Sequence, residues 1–179
     1  MTEHKDDVVL AYHFTGATLR DGRPLPPDGE WLIHDGPVKM CNSGLHASRD
    51  PWDALSYAPG STLCLVECAD IVSEDSDKLV CRRRRILKRG DATEMLRYFA
   101  RMQALSVVHL WDAPDIVLDY LMTGDGSIRA AAGAAAWAAA RAAAGAAAGA
   151  AAGAAAGAAT WAAVRADFNA LVRECFDHD

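Results

Sequence analysis

From Ser127 onward the chain is mostly alanine, broken on a four-residue lattice by Arg129, Gly133, Trp137, Arg141, Gly145, Gly149, Gly153, Gly157, Trp161 and Arg165. Alanine is the strongest helix former, so helix is expected here even though the five glycines each cost about 1 kcal/mol relative to alanine. Alanine also contributes too little transfer free energy per residue to span a bilayer as leucine would. A single helix over 128–175 would run about 70 Å, longer than a small domain is wide. Each four-residue step advances roughly 400°, which turns the glycine row through about 240° between Gly133 and Gly157. The glycines therefore cannot all face one straight partner. Three readings follow: a close-approach ridge for a steeply crossing helix, a pair of antiparallel helices, or a spacer made by repeat expansion.

The apolar fraction of 51% is inflated by this alanine. Residues 130–159 include Arg141 and the glycines, so no membrane span is expected there. Five cysteines (Cys41, Cys64, Cys68, Cys81 and Cys175) make an odd number, and the opening MTEHKDD is charged where a secretory leader would be apolar. Reduced thiols and a cytoplasmic setting are expected. A net charge of −6 argues against bulk nucleic-acid binding, which depends on neutralising phosphates with Lys and Arg. One cationic run stands apart, Arg82 to Arg85 followed by Lys88 and Arg89. In a strand, alternation puts Arg82 and Arg84 on one face and Arg83 and Arg85 on the other. The run reads either as an edge strand kept from aggregating by its charge or as a face that holds an anionic ligand or partner.

Val8 to Phe14 is β-branched and aromatic and reads as a strand, followed by turn signals over 21–30 and a short strand at Trp31 to Ile33. Asp50-Pro51 opens a short helix over 51–58, which Pro59-Gly60 stops. Strands are expected again over 61–67 and 78–87. From Asp91 the apolar spacing becomes helical through Met95, Leu96, Phe99, Met102, Leu105 and Val108, and a second short helix follows at 114–122. The expected fold is α+β. A small mixed sheet module occupies 1–90, a helical segment 91–126, and the alanine-rich helical tail 127–179. Removal of 128–179 is expected to leave the sheet folded. Trp52, Tyr57 and Trp111 read as packing aromatics.

Two segments bear on chemistry. Tyr12-His13-Phe14-Thr15-Gly16 precedes Gly44-Leu45-His46-Ala47-Ser48, then Pro51 to Ala58 and the strand Leu63 to Glu67. Over 10–87 this order resembles the core of the ADP-ribosyltransferase superfamily. The resemblance implies that His13 meets the nicotinamide-side ribose of NAD, that His46 takes the ring-stacking position, and that Ser48 is the small residue beside it. Phe14 stands where that family carries glycine, and Glu74, Asp75 and Asp77 are the acids nearest the catalytic carboxylate's place. Cys41-Asn42-Ser43-Gly44-Leu45-His46, running on to Asp50-Pro51-Trp52-Asp53, also resembles a family of uncharacterised small proteins of phages and bacteria. Metal ligation is not expected. Tetrahedral zinc needs four convergent donors, and Cys64 and Cys68 on a strand lie too far apart to chelate one ion; they read as buried core thiols.

The candidate catalytic residues are His13, His46 and Asp77. The candidate ligand-binding residues are His13, Thr15, His46, Ser48, Tyr57, Arg82 and Arg84. Three functions are weighed. The first is a binding protein of ADP-ribosyltransferase-like shape that captures a nucleotide or a host protein, phage-encoded and acting against a host defence. The second is an NAD-dependent transferase, with NAD or another nucleotide as cofactor. The third is an interaction protein that forms homo-oligomers through the alanine-rich helix.

Overall fold

The computed structural model describes residues 8–146 and 154–177. Gly149 and Gly153 of the alanine lattice fall outside them. The chain forms two compact units, one taking residues up to Thr93 and again from Arg165, the other Glu94–Val164.

The first unit is a five-stranded sheet of β1 (Val9–Thr15), β2 (Leu32–Ile33), β3 (Leu45–Ala47), β4 (Thr62–Glu74) and β5 (Leu79–Asp91), with the short helix α1 (Pro51–Leu55) between β3 and β4. With the helices of the other unit this is the expected α+β class. Every ladder is antiparallel, in the order β1-β4-β5-β2, with β3 also paired to β5. The sheet then curls back on itself. Ser48, just past β3, exchanges backbone hydrogen bonds with Tyr12 of β1 at 2.7 and 2.9 Å, so β1, β4, β5 and β3 form a closed loop of ladders. Asp70 of β4, at φ 54°, lies just before the register shift between Ile71 and Ser73 in the ladder with β5. Inside lie Ala11, Leu45, Ala47, Cys64, Val66, Cys68, Leu79, Cys81 and Ile86 as one apolar cluster.

Strand β5 is therefore an interior strand, flanked by β4 on one side and by β2 and β3 on the other. This corrects the edge-strand reading of its arginines. Alternation also fails to treat them in pairs, since Arg82 is exposed while Arg84 is 6% exposed.

The tail needs a second correction. It contains α4 (Arg129–Ala146) and α5 (Ala154–Asp177), and from Arg165 onward α5 belongs to the sheet unit rather than to an appendage. Phe168 and Val172 are completely buried, and Phe168 meets Trp52 of α1 edge-on with ring centroids 5.5 Å apart. Asn169 Oδ1 accepts from the Trp52 N–H at 2.8 Å and so satisfies a donor at the start of α1. Arg165 donates to Asp50 at 3.0 Å and to Asp53 at 2.6 Å, Arg173 to Asp50 at 2.8 Å. Burying a Phe and a Val is worth about 1.5–3 kcal/mol each. Removing 128–179 would thus open the core that it was expected to spare. The physical reason is visible in the local sequence: after Arg165 the alanines give way to Phe168, Leu171 and Val172 at helical spacing.

In the second unit are α2 (Thr93–Ser106), a 3-10 turn at Val108–Leu110, α3 (Asp115–Thr123) and α4. Arg101 Nη1 donates to the Leu121 carbonyl at 3.0 Å, linking α2 to α3, and Val117, Leu121 and Ala132 are buried. Trp111 is 40% exposed and Tyr57, in the sheet unit, 51% exposed, so neither is the packing aromatic expected; Trp52 is. No helix among the described residues is long and apolar enough to cross a membrane.

Candidate functional site

The arginines of β5 divide by what balances their charge. Arg85 lies directly opposite Glu67 and pairs with it, and Arg83 Nε donates to Asp70 Oδ2 at 2.7 Å. Both guanidinium groups also stack on Trp31, at 5.2 Å for Arg83 and 4.8 Å for Arg85. Arg89 meets Asp28 at 2.7 Å, and Lys88 Nζ donates to the Phe176 carbonyl at 3.1 Å. Arg82, exposed, donates to the Gly36 carbonyl at 3.2 Å. These contacts account for most of the run as sheet cross-bracing.

Arg84 is different. It lies opposite Cys68 and its Nη1 donates to the His46 carbonyl, but no carboxylate among the described residues pairs with it. Burial pulls its guanidinium below the usual arginine range, and the groups acting on it are Cys68, Cys81 and Cys64. Two of those thiols, Cys64 and Cys68, do not supply a counter-charge. Burial pushes Cys64 up to about 11. The hydrogen bond with Cys81, then burial, push Cys68 up further. The bond from Cys68 pulls Cys81 down, and Cys81 Sγ lies within hydrogen-bond distance of the Leu45 carbonyl at 3.3 Å. No side-chain nitrogen or oxygen among the described residues is both fully buried and unpaired. Beyond the His46 carbonyl, Arg84 makes no further hydrogen bond among the described residues.

His13, on the same face of β1 as Ala11 and Thr15, lies opposite Cys64. Burial holds its imidazole well below 6.5, with Arg84 and then His46 adding to the effect, so it is neutral. His46 is half-buried and has a structural task. Its Nε2 accepts from the Cys41 N–H at 3.0 Å, which puts the ring proton on Nδ1. Burial lowers its pKa against the upward pull of a backbone hydrogen bond with Gly44, and Arg84, Arg20 and Lys78 lower it further. The ring thereby fastens a turn that needs two left-handed residues, Cys41 at φ 63° and Gly44 at φ 106°. A Cβ on Gly44 would stand 2.7 Å from Val80 Cγ2 and 2.8 Å from Val38 Cγ1. The Cys-x-x-Gly-Leu-His spacing is thus the chemistry of a turn: a left-handed start, a glycine under close packing, and a histidine reaching back to the first residue.

The structure brings Arg84 to His46, whose carbonyl accepts its hydrogen bond; Thr15 lies two residues from His13 on the same face of β1, and Ser48 closes the sheet beside Tyr12. The other candidates are engaged elsewhere. Tyr57 donates to Asp77, accepts from Lys78 Nζ at 2.9 Å and lies under that ammonium at 4.7 Å. The Tyr57 bond, first, and Lys78 hold Asp77 below the usual carboxylate range, and Asp77 does not act on His13. Glu74 pairs with Arg49, Nη2 to Oε2 at 2.9 Å. No group of three His, Cys, Asp or Glu among the described residues could hold a metal ion.

All the residues brought together at Arg84 lie within a single sequence family. The chain belongs to the DUF7666 family. That family's model, a domain of unknown function, matches residues 9–98. Searches of curated proteins and of solved structures give no match. The match spans every strand and the start of α2, while Phe168 and Val172, which complete the core, lie beyond it.

Sequence reasoning missed two things. Alternation set Arg82 and Arg84 apart from Arg83 and Arg85 but could not tell the buried Arg84 from the exposed Arg82. Arg165, Asn169 and Arg173 read from the sequence as lattice or tail residues, although the apolar spacing after Arg165 signals packing.

Proposed function

We propose that the sheet module is a binding module for a phosphate-bearing nucleotide, held through Arg84 and His13. One observation carries this reading: Arg84 is 6% exposed, donates to a single carbonyl and faces no carboxylate among the described residues. A buried charge without a partner costs several kcal/mol, and a bound anion offsets that cost while adding charge-assisted hydrogen bonds. The likeness over 10–87 to the ADP-ribosyltransferase superfamily supports a nucleotide as the anion's carrier. A transferase needs a carboxylate next to the reacting sugar. The acids nearest in sequence are engaged elsewhere, Asp77 with Tyr57 and Lys78 and Glu74 with Arg49, which favours capture over turnover. Capture of a nucleotide signal is the role expected of a phage protein that blunts a host defence.

The test is thermal denaturation of the full chain with NAD, ADP-ribose and cyclic nucleotides. A ligand at 100 times its dissociation constant adds about 2.7 kcal/mol. The expected result is a rise in Tm that disappears in Arg84→Met and shrinks in His13→Ala. No rise with any nucleotide overturns the reading.

A second reading, self-association through α4, has Trp137 in its favour, which is 68% exposed on that helix. Sedimentation of wild type and Trp137→Ala decides it. An assembly that Trp137→Ala dissolves supports it, and a monomeric wild type rejects it.

A further inference from the structure

The seat that Asp50, Trp52 and Asp53 form for α5 joins segments far apart in the chain. Those three residues lie within the matched region 9–98, and the helix that covers them does not. From Arg165 onward that helix carries a complete set of matching groups. Phe168 packs edge-on against Trp52 at 5.5 Å, Asn169 accepts from the Trp52 N–H at 2.8 Å, Arg165 donates to Asp53 at 2.6 Å and Arg173 to Asp50 at 2.8 Å. Asp53 is 7% exposed, so a helix without its arginine would leave a buried carboxylate unpaired. The seat is therefore selective in charge as well as shape. Residues 94–164 belong to the other unit, and Trp161, Ala162 and Ala163, just before the matching stretch, are exposed. The match thus owes nothing to local chain continuity, and the same contacts are open to the same helix of a second copy.

We propose that this seat accepts α5 from a second copy of the chain, and that two copies exchange their helices reciprocally. Each copy gives one helix and receives one, a closed two-fold arrangement that keeps every contact above. The alanine-rich lattice is the connection that runs between the copies. Alanine-rich helix acts as a semi-rigid spacer, and the 18 residues of α4 alone cover about 27 Å. A tether that carries its end far from its start lowers the advantage of the chain's own seat over a neighbour's. The exchange does not use Trp137, the residue on which self-association through α4 would depend.

Charge reversal in full chains tests this. One chain carries Asp50→Arg and Asp53→Arg, the other Arg165→Asp and Arg173→Asp, so that in each the helix and its own seat repel. In an equal mixture the reversed helix of one chain matches the reversed seat of the other, and the two unchanged surfaces match as well. The expected result is a heterodimer in sedimentation, its mass the sum of the two chains, with a Tm at least about 6 °C above that of either chain alone, the effect of restoring a buried ion pair. A mixture with no heterodimer and no rise in Tm overturns the exchange whether or not the separate chains fold, because exchange should rescue both. Wild type should form the corresponding homodimer as its concentration rises, and Trp137→Ala should leave that dimer in place. A wild type that stays monomeric up to about 1 mM, the scale of a tether's effective concentration, overturns the exchange. So does a dimer that Trp137→Ala dissolves, which would belong to α4.

Discussion

Phe168→Ala separates a tail that merely follows the fold from one that completes it. Phe168 is completely buried, its ring edge-on to Trp52 with an interplanar angle of 75°, and Val172 beside it on α5 is completely buried as well. Truncating a buried Phe costs about 3–5 kcal/mol, the transfer of the ring plus the cavity it leaves. Domains of this size have only about 5–15 kcal/mol in hand. With a urea slope of about 1.5 kcal/mol/M, the midpoint for the sheet unit should fall by roughly 2 to 3 M. Circular dichroism in urea gives the measurement. Trp137→Ala is the control: at 68% exposure, it should stay within about 0.5 kcal/mol of wild type. A loss under about 1 kcal/mol in Phe168→Ala would refute the packing of α5 on α1 and restore the spacer reading of the tail.

Gly44→Ala should destabilise by at least about 2 kcal/mol, because alanine strains a backbone at φ 106° and its Cβ meets Val80 and Val38; a Tm equal to wild type would contradict this. The pH dependence follows from His13 and His46, both held below 6.5. Above that pH neither folded nor unfolded chain protonates them, and their contribution is complete. As the pH falls below 6.5 the unfolded chain binds protons that the folded chain excludes, so stability declines, with His13 contributing up to about 1.4 kcal/mol per pH unit. Urea midpoints at pH 7.5 and 5.5 should show the decline, and His13→Asn should flatten it; equal slopes in the two proteins would show that His13 titrates freely. Arg49→Ala, which removes an exposed partner of Glu74, should change stability by less than about 0.5 kcal/mol in the same assay.

Much of the sheet was legible in the residues because its signals are local. Alternation and turn chemistry mark β1 and the approximate starts of β4 and β5, Pro51 marks the start of α1, and the burial of Cys64 and Cys68 follows from their place on a strand. What escaped depends on which strands meet. Four consecutive arginines give no local sign of which one turns inward. Arg84 is singled out only when Glu67 and Asp70 on β4 take Arg85 and Arg83, and when β3 covers the inner face. The return of Ser48 to Tyr12 likewise rests on pairing across the sheet, and no pattern marks Asp70 as left-handed. His46 was legible as a motif residue but not as the fastener of the Cys41 turn, a role set by backbone angles.

The most direct test is to observe Arg84 itself. Labelling with nitrogen-15 and assigning its Nε–H resonance by comparison with Arg84→Lys gives a signal that reports what the guanidinium donates to. Titration with a phosphate-bearing nucleotide should move that resonance saturably and slow its exchange with water, while the Nε–H signals of Arg83 and Arg85, already paired with Asp70 and Glu67, stay in place. An Arg84 resonance that is unmoved by ligand and already protected from water in the free protein would mean that the guanidinium is fully satisfied within the fold, and would contradict an anion site.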